Sequence, residues 1–174
     1  MNGVKEVIDD LVRTATCELF SAYGTKLETA TEVGAASQSV AIIGFSGGAI
    51  RGALGIAIAH DVAAAAFESA GGDSKTPGAV DDFIGELANQ LLGRLKNKLL
   101  AYGTELHLAI PMVLRGVELR LVPTNGGDVW AYGFRGDAGT VSVWLDARFD
   151  AEFVLAPQQD PAVLGASEGD MLLF

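Results

Sequence analysis

Two stretches of this chain repeat one another, and each follows the same kind of segment. AYGTKLETA at residues 22–30 matches AYGTELHLA at residues 101–109, an offset of 79 residues. GFSGGAIRGALGIAI at 44–58 loosely matches GFRGDAGTVSVWL at 133–145, an offset of 89. The order of parts is therefore kept while loop lengths differ. Such a chain is constrained to a duplicated unit of one helix and about three strands. One unit alone cannot close a core. Two can, if long helices pack on one face of a shared, largely antiparallel sheet, so the predicted fold class is α+β.

The elements follow from periodicity. Val4, Val7, Ile8, Leu11, Val12, Ala15 and Leu19 fall on one face of a helix that Gly24 stops. Residues 25–33 are extended, 39–45 (SVAIIGF) and 51–59 (RGALGIAIA) are strands around a Ser46-Gly47-Gly48 turn, and 61–69 form a short Ala-rich helix. The second cycle opens at Thr76-Pro77, with Pro at a first-turn position of a helix over about 79–101. Strand-like stretches follow at 105–113, 117–122, 129–134 and 140–145, with turns at Asn125-Gly126-Gly127 and at 136–139. We read one domain over 1–150, with pseudo-repeats 1–72 and 76–150. Residues 151–174 form a loose extension whose apolar end, Met171 to Phe174, could dock elsewhere.

Composition narrows the function. A formal charge of −10 argues against nucleic acid and anionic membrane as partners, because phosphate neutralisation needs clustered Lys and Arg. One cysteine, Cys17, excludes an internal disulfide and fits a reducing compartment. The sequence starts without a leader pattern, and apolar runs break before a spanning length of about 20 residues. A cytoplasmic protein is expected. Without paired His or Cys spacing, no metal site is expected in the chain. His60 is read as a helix start and His107 as a strand residue. Trp130 and Trp144 are read as packing residues.

The segment with chemical character is DDFIGELANQLLGRLKNKLLAYG, residues 81–103. On a helix, Phe83, Leu87, Leu91, Leu95 and Leu99 form a core stripe, with Ile84, Ala88 and Leu92 beside it. A second stripe of Asp82, Gly85, Glu86, Asn89, Gly93 and Lys96 should face outward. Gly inside a helix costs about 1 kcal/mol relative to Ala, yet Gly85 and Gly93 stand one turn either side of Asn89. Together they would make a low groove from which Glu86 and Asn89 project and which another protein could approach closely. Gln90 points about 100° from Asn89 and is read as flank.

This segment resembles the CheC/CheX family of chemotaxis phosphatases. Their signature, Asp or Ser, three residues, Glu, two residues, Asn, is met by Asp82, Glu86 and Asn89. The stretch 84–116, in which a Pro-containing strand follows the motif helix, looks CheX-like. So does GFSGGAIRGALGIAIAHDVA, and the likeness covers roughly residues 4–149. The first helix lacks the pair: an alignment through Asp10 puts Thr14 and Cys17 where Glu and Asn would stand, at the expense of a seven-residue difference in helix length. One motif instead of two is the CheX-like pattern, and the resemblance then implies a homodimer.

The resemblance implies that the substrate is the phosphoaspartate of a CheY-like response regulator. Asn89 would orient the attacking water and Glu86 would pair with the regulator's lysine. Asp82, Gly85 and Gly93 are placed at the partner-binding surface. The chain is expected to bind no cofactor, with Mg²⁺ carried by the regulator. Two other classes stay open. One is a non-catalytic CheX-like module that binds a signalling protein. The other is a structural dimerisation domain in which the Gly85/Gly93 groove packs a second helix.

Overall fold

In a computed structural model that describes residues 2–31, 38–116, 119, 129–151 and 153–158, the two AYGT strings close two long helices in the same way. Gly24 and Gly103 both adopt φ of 71°, the left-handed region that glycine enters without a Cβ clash. Just beyond each, the Thr25 amide donates to Phe20 O at 2.9 Å and the Thr104 amide to Leu99 O at 3.1 Å. These bonds satisfy carbonyls that a helix end leaves open. The helices are α1 (Asn2–Ala22) and α3 (Ala79–Leu100). A shorter helix, α2 (His60–Ser69), lies between them in sequence. Pro77 stands just outside α3 rather than in its first turn, because Gly78, at φ 81°, takes the N-cap position.

The strands are β1 (Glu28–Ala30), β2 (Gln38–Ser46), β3 (Ile50–Ala59), β4 (His107–Leu108), β5 (Met112–Gly116), β6 (Val129–Gly136) and β7 (Gly139–Phe149). They form one antiparallel sheet of order β1-β6-β7-β3-β2-β4, with β5 also on β2. Read from either edge, the order is the same: a short edge strand, then the two arms of a hairpin. The halves meet where β3 pairs with β7, from Ile50↔Phe149 to Ile58↔Val141. This is the duplicated α+β arrangement that the repeats predict.

Strand alternation puts Ile43, Leu54, Ile56, Val143 and Phe134 into one core with Ile8, Val12 and Leu19 of α1 and Ile84, Leu87 and Leu91 of α3. The expected strand at 105–113 is split into β4 and β5, with Pro111, which has no N–H to donate, between them. The expected strand at 117–122 and the Asn125-Gly126-Gly127 turn lie outside the described residues, Leu119 excepted, and Leu119 is not in a strand. The start of the C-terminal extension is docked, not loose. Phe153 packs on Phe149 with ring centroids 4.8 Å apart, and the Ala156 amide donates to Tyr102 O. Met171 to Phe174 lie outside the described residues.

Tyr132 of β6 is 2% exposed, and its hydroxyl donates to Asp9 Oδ1 at 2.7 Å. Burial, then that bond and the Asp9 charge, push the phenol well above its ordinary range. Unfolded chains release this proton near pH 10, whereas the native state retains it. Above about pH 10 the native state thus binds more protons than the unfolded state, and stability falls with rising pH by up to about 1.4 kcal/mol per unit for the group. Urea titrations from about pH 9 to pH 11 should show this decline, and Tyr132→Phe should remove its share. Cys17, raised chiefly by burial, keeps its own share in that variant.

Candidate functional site

Every residue of the expected core face of α3 is buried: Phe83, Ile84, Leu87, Ala88, Leu91, Leu92, Leu95 and Leu99. That anchors the opposite stripe. Asp82 is exposed, and Glu86, Asn89, Gly93 and Lys96 are half-buried. Gly85 departs from the expectation. It is buried, because the chain entering β5 returns across the helix there. A Cβ on Gly85 would lie 3.4 Å from Val113 Cγ2 and 3.9 Å from Pro111 Cγ. Gly93 meets nothing within 4 Å. The continuous two-glycine groove is therefore not formed: one end is filled by the chain itself. This removes the basis for packing a second helix along Gly85 and Gly93.

Gly93 serves no packing need among the described residues. Gly93→Ala should raise stability by about 1 kcal/mol through helix propensity, read as a higher urea midpoint at unchanged slope. If Gly93 also faces a docked partner, the same variant weakens that docking.

Glu86 and Asn89 are neighbours three residues apart on one helix face. Their surroundings differ. Glu86 Oε1 accepts from Gln90 Nε2 at 2.9 Å, and Gln90 Oε1 accepts from the Tyr23 hydroxyl at 3.0 Å. The Asn89 side chain has no hydrogen-bond partner among the described residues, so its carboxamide, which both donates and accepts, is available. The Asp82 carboxylate likewise has no partner among the described residues. It sits in the first turn, where a carboxylate favours the helix dipole. Its neighbour Asp81 takes the ion pair instead, with Arg115 Nη2 at 2.6 and 2.7 Å from its two oxygens.

Gln90 joins the site through Glu86. Its angle to Asn89 suggested a flank position, but Gln90 is four residues from Glu86, the spacing at which helical side chains touch. The alignment of the first helix also changes. α1 and α3 have 21 and 22 residues, so no seven-residue difference exists. Anchored on the shared caps, the offset of 79 brings Gly3, Val7 and Asp10 opposite Asp82, Glu86 and Asn89. The Glu/Asn pair is absent from α1 by this alignment too.

The family model described as chemotaxis phosphatase CheX matches residues 39–143. The chain belongs to the CheX family. The match contains the whole Glu86/Asn89 face and omits α1. Among solved structures, chemotaxis protein CheX from Vibrio vulnificus is similar at 17% identity and TM-score 0.72, covering 81% of this chain and 96% of that one. A CheX from Desulfovibrio desulfuricans gives 19% identity and TM-score 0.69, covering 81% and 99%. The CheX–CheY–BeF₃–Mg²⁺ complex from Borrelia burgdorferi contains a chain at 15% identity and TM-score 0.60, covering 82% and 96%. At these identities the likeness is one of fold. No curated protein matches the chain. Among the described residues, no helix is long and apolar enough to cross a membrane. No three His, Cys, Asp or Glu side chains there are grouped to hold a metal ion.

Proposed function

We propose that this CheX-family protein hydrolyses the phosphoaspartate of a CheY-like response regulator, with Asn89 and Glu86 as its contribution to the active site. The observation that carries this reading is the pair itself. Two polar side chains project from one face of a helix locked by its apolar face, and the one assigned to water has no internal partner among the described residues. The CheX–CheY complex among the structural relatives supports the choice of partner.

Phosphoryl transfer to water needs positioning and charge stabilisation more than covalent chemistry. On this reading the Asn89 carboxamide holds a water in line with the acyl phosphate. Water oxygen bonds to phosphorus, the bond from phosphorus to the aspartyl oxygen breaks, and the products are free aspartate and inorganic phosphate. Glu86 pairs with a lysine of the regulator and sets the docking register. Mg²⁺ belongs to the regulator on this reading and neutralises phosphoryl charge there. Asp82 and Gly93 lie along the same face and are assigned to the contact. Gly85 acts beneath the surface, by letting Pro111 and Val113 lie close to the helix.

A homodimer is part of the proposal. Among the described residues β5 pairs on one side only, with β2, and it exposes Met112 at 63% and Leu114 at 41%. An apolar strand with one side unpaired among the described residues invites pairing. Met112→Lys combined with Leu114→Lys should convert a dimeric sedimentation mass to a monomeric one. A monomeric wild type at micromolar concentration would end this part.

The function is tested by following phosphate release from phosphorylated CheY-like regulators with and without the protein. Acceleration supports hydrolysis. Binding without acceleration would favour a non-catalytic module.

A further inference from the structure

The geometry assigns Gln90 a role as positioning residue for Glu86, with Tyr23 of the first half of the chain holding Gln90 in turn. This rests on the proposed function, since it concerns how Glu86 is presented to the regulator.

The polarity of the relay is set by chemistry. An ionised carboxylate only accepts, so Gln90 must turn its Nε2 donor toward Glu86 Oε1, at 2.9 Å. That leaves the amide oxygen of Gln90 facing Tyr23, whose hydroxyl donates to it at 3.0 Å. Reversed, the amide would aim its oxygen at a carboxylate. Tyr23 is itself held: its ring stands edge-on to Phe83, with centroids 5.1 Å apart, and Phe83 is a core residue of α3. Tyr23 lies just beyond α1, in the turn closed by Gly24. The half of the chain without the Glu/Asn pair thus reaches across to fix the half that has it.

The consequence for docking is preorganisation. A free Glu side chain samples many rotamers, and ordering it on binding weakens the complex. Tethered through Oε1, Glu86 keeps Oε2 for a partner's ammonium group. The tether does not touch Asn89. Loss of the relay should therefore raise KM for the phosphorylated regulator and leave kcat nearly unchanged.

The experiment uses the full chain, a CheY-like regulator carrying radiolabelled phosphoaspartate, and steady-state rates. Gln90→Leu should raise KM about tenfold and Tyr23→Phe about threefold, the upper and lower parts of the range expected when one long side chain must be ordered on binding instead of beforehand. Both should keep kcat within about twofold and the wild-type circular dichroism spectrum. The deciding comparison is a double-mutant cycle. In a Glu86→Ala background, Gln90→Leu should add nothing. If it raises KM there by the same factor as in wild type, Gln90 acts on the fold or the surface directly and the relay is overturned. If Gln90→Leu leaves KM unchanged while Glu86→Ala raises it, the relay is overturned and the role of Glu86 stands. If Glu86→Ala has no effect on KM, the docking role of Glu86 falls, and the relay with it. Gln90→Glu is the second variant. It still accepts from Tyr23 but repels Glu86, so it should raise KM more than Gln90→Leu; a smaller effect than Gln90→Leu counts against the tether.

Discussion

Asn89→Ala is expected to lower the acceleration of regulator dephosphorylation by about a hundredfold or more, the scale set by losing an oriented reactant. The folded protein should be little affected. Asn89 is half-buried, its side chain bonds to no described residue, and it sits in a helix where Ala is the better former. Stability should therefore stay level or rise slightly while activity collapses. That opposition separates a water-orienting group from a structural one. Binding to the phosphorylated regulator should persist, because the lysine contact is assigned to Glu86. Asn89→Asp is informative beside it. It keeps the size and an acceptor, but removes the donor and adds negative charge facing a phosphoryl group, so it should also be strongly impaired. Equal rates for wild type and Asn89→Ala would remove the catalytic proposal.

The largest effect on stability is expected at Gly52, in the strand pair that joins the halves. A Cβ there would collide with the backbone carbonyl oxygen of Asp146 and press on the Phe45 ring at 3.0 Å. The obstacle is backbone in a paired strand, with Ala53↔Asp146 and Gly52↔Ala147 in register, so no side-chain rotation relieves it. Gly52→Ala must open the β3–β7 seam locally and should cost about 3 kcal/mol, the upper part of the range for overpacking. Gly48, in the turn between β2 and β3, has open space where its Cβ would stand. Gly48→Ala is the matched control and should change stability by less than about 0.5 kcal/mol. Urea unfolding of the two variants would compare the same chemical change four residues apart.

The parts of α3 that were legible in sequence share one cause. Its apolar residues recur every three or four positions over five turns, and that pattern has one solution: a buried stripe with its opposite face turned out. Glu86 and Asn89 could be placed on that basis. Gly85 could not, because a helical wheel reports an angle and says nothing of a strand that returns across it. Pro111 and Val113 lie more than twenty residues away in sequence. Gln90 was within reach of local reasoning, since its contact with Glu86 is four residues long, but its partner Tyr23 is not. The partner strand of β1 was similarly hidden. Nothing local in Glu28 to Ala30 indicates that β6 will cover it. The two long helices correspond through their shared caps at Gly24 and Gly103, and acidic letters within the helices do not report that correspondence.

The order of the sheet also sets a timetable. β2–β3 and β6–β7 are hairpins that can form as soon as they are made, but among the described residues β1 pairs only with β6, which begins 99 residues after β1 ends at Ala30. At about 5–20 residues per second, a nascent chain carries β1 unpaired for roughly 5–20 seconds. The β3–β7 seam must wait as well, since Gly139 follows Ala59 by 80 residues. During that interval the first half exposes a strand edge and an unfinished core, a window in which a chaperone or an aggregating neighbour competes with the second half. A three-residue β1 offers such a neighbour little to pair with, so its shortness protects the chain before it is finished as well as after.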